Sequence, residues 1–322
     1  MSTPEDLQRL ADAATSSYQD DRYGYGPQGP SLAMGAVFVA IFGLSTLIHL
    51  IQIIIARRQW YMIVMLCGGI LEILGWAARI WSHYDLSSRD AYIMQICVLV
   101  IAPTFYSAAL YWAGGLLIQD VAPGRVRFLS PKWFKITFVV ADVVSLVIQG
   151  IGGGMAGSAE DDDPKQLQDG SHIMLGGIIV QLVIMIFFLF YMLGFAWFAR
   201  SEMRKSGTRL QVMWAALVVA SCAVIIRGGY RTAELNEGFR GELAENERTI
   251  LLDAIPVAIT TVILNIVHPH WFLRLSPALA ADRTLSNEYS SGTASGQQHY
   301  NGSQITMIQA GRGPSGEKYQ SA

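Results

Sequence analysis

Long apolar segments alternate with short polar connectors along most of the chain. Seven of them have the roughly 20 mainly apolar residues that a membrane-spanning helix needs: 32–56, 61–82, 91–118, 134–157, 172–199, 210–233 and 249–273. The connectors between them are too short to hold a soluble domain. The pattern therefore predicts an all-α polytopic membrane protein, a bundle of seven transmembrane helices over 32–273.

The basic residues of the connectors predict the orientation of this bundle. Connectors one, three and five, with the adjoining helix ends, hold ten: Arg57, Arg58, Arg125, Arg127, Lys132, Lys135, Arg200, Arg204, Lys205 and Arg209. Connectors two, four and six hold four: Arg89, Lys165, Arg240 and Arg248. Short cytoplasmic loops carry an excess of Lys and Arg, so we expect segment 1–31 outside the cell and the C-terminus in the cytoplasm. Segment 274–322 is rich in Ser, Gly, Gln and Thr, which predicts a disordered cytoplasmic tail.

Composition agrees with a membrane protein and argues against other classes. The 322 residues are 52% hydrophobic and 15% charged, whereas a soluble domain carries about 25% charged residues. A net charge of -2 offers no basic excess for nucleic acid, so no nucleic-acid partner is expected. The chain has no G-x-x-x-x-G-K-[ST] phosphate loop, and no cofactor is expected.

Ionisable side chains within the predicted helices are the most informative feature, because each is costly in hydrocarbon unless it is paired, hydrated or turned inward. They are Glu72, Arg79, Asp142, Arg227, Arg231 and Asp253, with Glu234 at a helix end. Arg227, Arg231 and Glu234 are spaced four and three apart and share one helix face, and Glu72 and Arg79 share another. Three positive and four negative groups favour a paired network over a pore lined by one sign of charge.

This network has two interpretations. Buried ion pairs can simply lock the order and register of helices. Alternatively, Glu72 and Arg79 meet opposite charges on the sixth and seventh helices and line a hydrated cavity that opens to the outer leaflet and holds a polar headgroup.

A second polar set lies nearer the predicted cytoplasmic side. It comprises His49, Gln52, Asp142, Gln149 and His268. We predict no metal site, because a transmembrane histidine is usually a hydrogen-bonded interior residue; His49, Asp142 and His268 are weak candidates for ligands.

Small and kinking residues predict how the helices pack. Gly150 with Gly154, and Gly153 with Gly157, repeat the small-xxx-small spacing that lets helix backbones approach closely. Pro103 and Pro256 lie inside predicted helices, where the missing N–H predicts kinks.

Several short motifs occur in one order along the chain: "YGYGP" before the first helix, "EILGWAAR" at 72–79, "APTFYSAALY" at 102–111, "DVVSLVIQGIGGG" at 142–154, "RGGYRTAE" at 227–234 and "HP" at 268–269. In these motifs the chain resembles the fungal lipid-translocating exporter family, which includes the 7-aminocholesterol-resistance and sphingoid-base-resistance proteins. Trp76 stands where members of that family often have Tyr.

The resemblance implies a fungal plasma-membrane protein that takes part in the translocation or export of a sphingoid long-chain base or an amphiphilic toxicant, and in resistance to it. With no phosphate-binding loop and no convincing catalytic motif, we expect that it is not an enzyme. Its partners would be membrane lipids and an amphiphilic small molecule. By position, it implies a substrate-binding or polar network made of Glu72, Arg79, Asp142, Gln149, Arg227, Arg231, Glu234, Asp253 and His268.

Two other functions remain open at this point. A sensory receptor for a lipid-like ligand has the same number of helices and the same predicted orientation, and fold alone does not decide function. A zinc-dependent membrane amidase is suggested by Ser45, His49, Asp142, His268 and His270, but it needs three ligands around one metal ion, and His268 and His270 would point in different directions on a helix.

Overall fold

Seven long helices make up most of the protein in a computed structural model that describes residue 25 and residues 29–55, 60–122, 131–159, 164–237 and 250–273. In chain order they are α1 (Leu32–Ile55), α2 (Ile63–Tyr84), α3 (Arg89–Val121), α4 (Pro131–Ser158), α5 (Pro164–Phe198), α6 (Thr208–Glu237) and α7 (Leu251–Ile266). No strand occurs among the described residues. The predicted all-α bundle is confirmed, while the tail predicted over 274–322 lies outside the described residues.

α3 occupies the interior of the bundle. Each helix packs against the next one along the chain, and α7 returns to α1. α3 additionally contacts α5, α6 and α7. In its most apolar stretch 56% of the residues are buried, against 28% for α1 and α4. Side chains on different faces of α3 therefore reach different groups of helices.

The outer surface of the bundle is apolar. Large hydrophobic side chains are exposed along several helices, among them Leu44, Ile54, Val147, Ile151, Phe187 and Phe190. Six of the described helices are long and apolar enough to cross a membrane, and α7 is a shorter apolar helix. The chain is therefore an integral membrane protein whose perimeter faces acyl chains.

The seventh helix is shorter than the sequence predicts. The apolar pattern predicts one helix over 249–273, but α7 ends at Ile266 and a separate one-turn helix, Pro269–Phe272, follows. His268 between them is extended, with φ -71° and ψ 133°. A residue before proline is pushed out of the helical region, and Pro269 has no N–H to continue the helix.

The predicted N-terminal end of the fifth helix is wrong. α5 begins at Pro164 rather than at 172, and proline is well suited to a first helical turn.

Glycines allow α4 and α5 to approach closely, but not the pair that the spacing suggests. A methyl group on Gly150 or Gly154 would meet no atom within 4 Å, so the prediction that another helix packs against these two residues is wrong. A methyl group on Gly152 would lie 2.5 Å from the backbone N of Met174 on α5. The other predicted pair, Gly153 and Gly157, does face α3.

The two predicted kink sites lie inside continuous helices. Pro103 is part of α3 and Pro256 is part of α7. The kinks themselves stay predictions.

Candidate functional site: a buried charged network

Arg231 on α6 and Asp253 on α7 form the closest ion pair of the described residues. The Nε of Arg231 donates to Asp253 Oδ1 at 2.8 Å, and its Nη2 pairs with Oδ2. The Nη1 of Arg231 donates to Glu234 Oε2 at 2.9 Å, one turn further along α6. Asp253 lies in the first turn of α7, opposite the last part of the antiparallel α6. The guanidinium thus holds both carboxylates, one of them through the two-pronged geometry that is strongest for this pair.

Arg227 connects the same carboxylate to the central helix. Its Nε lies 2.9 Å from Asp253 Oδ1, an ionic contact rather than an aligned hydrogen bond. Its Nη2 donates to the backbone carbonyl of Leu99 on α3. Asp253 is therefore shared by two guanidinium groups, and α3, α6 and α7 meet at this point.

Glu72 and Arg79 bring α2 into the same group. The charge of Glu72 interacts electrostatically with Arg227, Asp253 and Arg231, and the charge of Arg79 interacts electrostatically with Asp253. Among the described residues Glu72 makes no direct ion pair. We call the six residues that come together here the charged network: Glu72, Arg79, Arg227, Arg231, Glu234 and Asp253. These residues are only 2–9% exposed, so none lies on the lipid-facing perimeter.

Tyr25 covers the end of this network at which Arg79 lies, a role that the sequence pattern does not predict. Its hydroxyl donates to Gln95 Oε1 at 2.8 Å and lies 2.9 Å from Ser82 Oγ. The Arg79 guanidinium lies 5.8 Å from the centre of the Tyr25 ring. Burial raises the pKa of the Tyr25 hydroxyl, which keeps it a hydrogen-bond donor. The sequence signal for this role is the tyrosine-containing "YGYGP" motif in the polar segment before α1.

Asp142 and Gln149 lie apart from the charged network, between α3, α4 and α5. The Tyr111 hydroxyl donates to Asp142 Oδ1 at 3.3 Å. Gln149 Nε2 donates to Gln181 Oε1 at 3.0 Å, and Gln181 Nε2 donates to Thr104 Oγ1 at 3.2 Å. The second polar set predicted from the sequence is therefore two groups, of which this is one.

The other group lies between α1 and α7. The ring centres of His49 and His268 are 6.3 Å apart. Gln52 Nε2 donates to the carbonyl of Asn265 at 2.8 Å, which leaves Gln52 Oε1 as the acceptor for His49 Nδ1 at 3.1 Å. His268 Nδ1 instead accepts from the backbone N–H of His270. In the neutral rings, His49 Nε2 therefore has a lone pair while His268 Nε2 carries a hydrogen.

This arrangement does not assemble the weak metal candidates. His268 would have to lose its bond from the His270 N–H to present a lone pair at Nε2, and Asp142 belongs to the other group. Over the described ranges no three His, Cys, Asp or Glu side chains are grouped so that they could hold a metal ion. The three ligands that the amidase interpretation requires are not brought together there.

Comparison with known proteins gives the family. Residues 65–276 match the sequence profile described as "RTA1 like protein". The chain belongs to this family. The matched region contains the charged network, Asp142, Gln149 and His268.

Relatives of the RTA1-like family carry different names. The Sphingoid long-chain base transporter RSB1 of Saccharomyces cerevisiae is 31% identical over 76% of this chain and 73% of its own length. Protein RTA1 of the same organism is 27% identical over 63% of each chain. Protoporphyrin uptake protein 1, also from Saccharomyces cerevisiae, is 24% identical over 80% of this chain and 95% of its own. No solved structure matches the chain.

Proposed function

We propose that the protein translocates or exports a sphingoid long-chain base, or an amphiphile of similar shape and charge, across the plasma membrane, and thereby gives resistance to it. The observation that carries the proposal is the charged network, buried among helices that cross the bilayer. Intramembrane charges are costly and mark the paths of polar or ionic substrates. The names of two relatives, a sphingoid long-chain base transporter and a protoporphyrin uptake protein, support an amphiphilic substrate.

Glu72 is the carboxylate of the network that is best placed to bind the substrate. A sphingoid base has an ammonium, two hydroxyls and one long chain. Asp253 and Glu234 are already held by guanidinium groups, whereas Glu72 has no direct ion pair in the described part of the chain. The ammonium would therefore pair with Glu72, while the chain stays among acyl chains or in a groove between helices.

Two polar groups close to Glu72 are suited to the hydroxyls. Trp76 lies one turn further along α2, and its buried Nε1 interacts with the Glu72 carboxylate without forming a well-aligned hydrogen bond. Tyr106 packs against Gly68, one turn before Glu72, with Cζ 3.1 Å from the position of a methyl group there. The Tyr106 hydroxyl interacts with the Thr261 side chain, likewise without a well-aligned hydrogen bond in the described part. A hydroxyl of the substrate would give each of these donors a well-aligned hydrogen bond, which contributes about 0.5–1.5 kcal/mol.

The test is movement of a labelled long-chain base between the leaflets of liposomes that contain the purified protein. Glu72→Gln, at matched protein amount, should slow movement about tenfold or more, because a hydrogen bond to a charged group contributes about 1.5–3 kcal/mol. Glu237→Gln is the matched control, since Glu237 is exposed at the end of α6. Movement by Glu72→Gln at the rate of the unaltered protein would reject Glu72 as the ligand.

The same assay separates a transporter from a seven-helix sensory receptor. A receptor would bind the labelled base but would not move it between leaflets. Saturable binding without protein-dependent movement would therefore overturn the proposed function.

A further inference from the structure

Asp142 is a buried carboxylate that does not belong to the charged network. Its side chain is 1% exposed, and its hydrogen bond from Tyr111 reaches only Oδ1. Oδ2 has no partner among the described residues. The six residues of the charged network, if all ionised, carry three positive and three negative charges, so they compensate one another. Asp142 is the described intramembrane carboxylate that remains without a positive charge.

The neighbours of Asp142 do not supply that charge. On α3, Tyr111 is neutral and Ser107, one turn earlier, buries an Oγ without an aligned hydrogen bond in the described part. From α5, Phe188 contributes an aromatic ring 4.9 Å from that of Tyr111. Lys135 on α4 itself is two turns away, with its Nζ 4.6 Å from the centre of the Trp112 ring. No Lys or Arg of the described residues is paired with Asp142.

The unpaired atoms along this side of α4 indicate what is missing. Asp142 Oδ2 and Gln149 Oε1, both buried, are hydrogen-bond acceptors without a donor among the described residues. An ionised carboxylate buried without a partner is very costly. Calcium and magnesium need about six oxygen ligands, and one carboxylate does not provide them. A small cation that brings a hydrogen to the carboxylate oxygen fits this position.

We propose that Asp142, oriented by Tyr111, is a second cation site that takes a cation able to place a hydrogen on or against Oδ2. The shared chemistry has two sources, a proton or the primary ammonium of an amphiphile. The ammonium source rests on the proposed function, whereas the proton source does not. This cation site at Asp142 is separate from the six residues of the charged network.

α3 separates this site from Glu72. Tyr106 packs beside α2 at Gly68, and Tyr111 contacts Asp142 on α4. Five residues apart, the two tyrosines point about 140° away from each other around α3. Each carboxylate thus has one tyrosine of α3 beside it, and a cation on one is not in contact with the other.

Infrared spectroscopy of the protein in lipid bilayers tests the proton directly. If Asp142 holds a proton, the carbonyl band of a buried carboxylic acid should disappear in Asp142→Asn and shift in Tyr111→Phe. This readout does not depend on transport, so it stands even if the proposed function fails. Glu72→Gln serves as a comparison, because it removes a different buried carboxyl group.

Binding of a fluorescent long-chain base and of its uncharged N-acetyl derivative tests the ammonium. If Asp142 holds the ammonium, Asp142→Asn should weaken binding of the base at least tenfold and leave the derivative within twofold. Asp142→Glu, which keeps the charge, should retain most of the binding. Two results together overturn the proposal: no carboxylic-acid band that depends on Asp142, and base binding within twofold in Asp142→Asn.

The fold of the variant is checked by its thermal midpoint. Asn in place of Asp142 removes a buried carboxylate that has no counter-charge, so the thermal midpoint should not fall. A fall as large as that of a disrupted ion pair would show that Asp142 is held by a partner charge, which also contradicts the proposal.

Discussion

The carboxylates of the charged network differ in the number of guanidinium groups with which each one pairs. Asp253 accepts the fork of Arg231 and touches Arg227, whereas Glu234 is bonded to Arg231 alone. Removing the charge of Asp253 therefore leaves Arg227 without its ion pair and Arg231 with Glu234 alone. Breaking a buried pair by removal of one partner costs about 3–5 kcal/mol.

Asp253→Asn should consequently destabilise the bundle strongly, lowering the thermal midpoint of the detergent-solubilised protein and its folded yield. Asp90→Asn is the control, because Asp90 is exposed in the first turn of α3. An unchanged midpoint for Asp253→Asn would mean that the ion pairs do not hold α6 to α7.

Helical spacing predicts part of this site and no more. The intervals between Arg227, Arg231 and Glu234 place them on one face, and the structure has that face against Asp253. Spacing cannot say which helix a face packs against, because that depends on the order of helices around the bundle. For this reason Asp142 and His268 could be placed on helix faces but not in their separate groups.

At the scale of helices, α4 and α5 are held together by glycine contacts that the small-xxx-small spacing only partly indicates. A methyl group on Gly170 would lie 2.7 Å from the backbone O of Gly152, so the two helices nearly touch there. The motif "GIGGG" contains glycines on every side of α4, and only contacts with a neighbour distinguish them. The break after α7, in contrast, was readable from the His268–Pro269 dipeptide.

Gly152→Ala should separate α4 from α5, because its methyl group would overlap backbone atoms that cannot turn aside. Gly154→Ala is the matched control two residues away; with open space around it, alanine should leave stability unchanged or raise it by about 0.5–1 kcal/mol. Thermal midpoints of the two variants, measured side by side, decide this. Equal midpoints would contradict the close approach of the two helices.

For the molecule as a whole, the apolar segments predict the fold class well because hydrocarbon requires helices of a certain length. The orientation of the bundle rests on the connectors alone. With the C-terminus in the cytoplasm, the Asn-Gly-Ser sequon at Asn301 never meets the glycosylation machinery.

A tag at the C-terminus should therefore become accessible to antibody only after the cells are permeabilised, and Asn301→Gln should not change the electrophoretic mobility of the protein. A tag at the N-terminus is the internal control and should be accessible on intact cells. A mobility change on removal of glycan from Asn301 would reverse the orientation.

α7 is the helix least able to enter a membrane unaided. Its 16 residues rise about 24 Å, less than the roughly 30 Å of hydrocarbon. Asp253 in its first turn adds to the insertion cost, which for a charge at the centre of a helix reaches about 2.5–3.5 kcal/mol. Arg231 and Arg227 on the preceding helix neutralise that carboxylate. During synthesis α6 and α7 would therefore gain by leaving the translocon together as a hairpin, so we expect the ion pair to assist membrane insertion as well as to stabilise the finished protein.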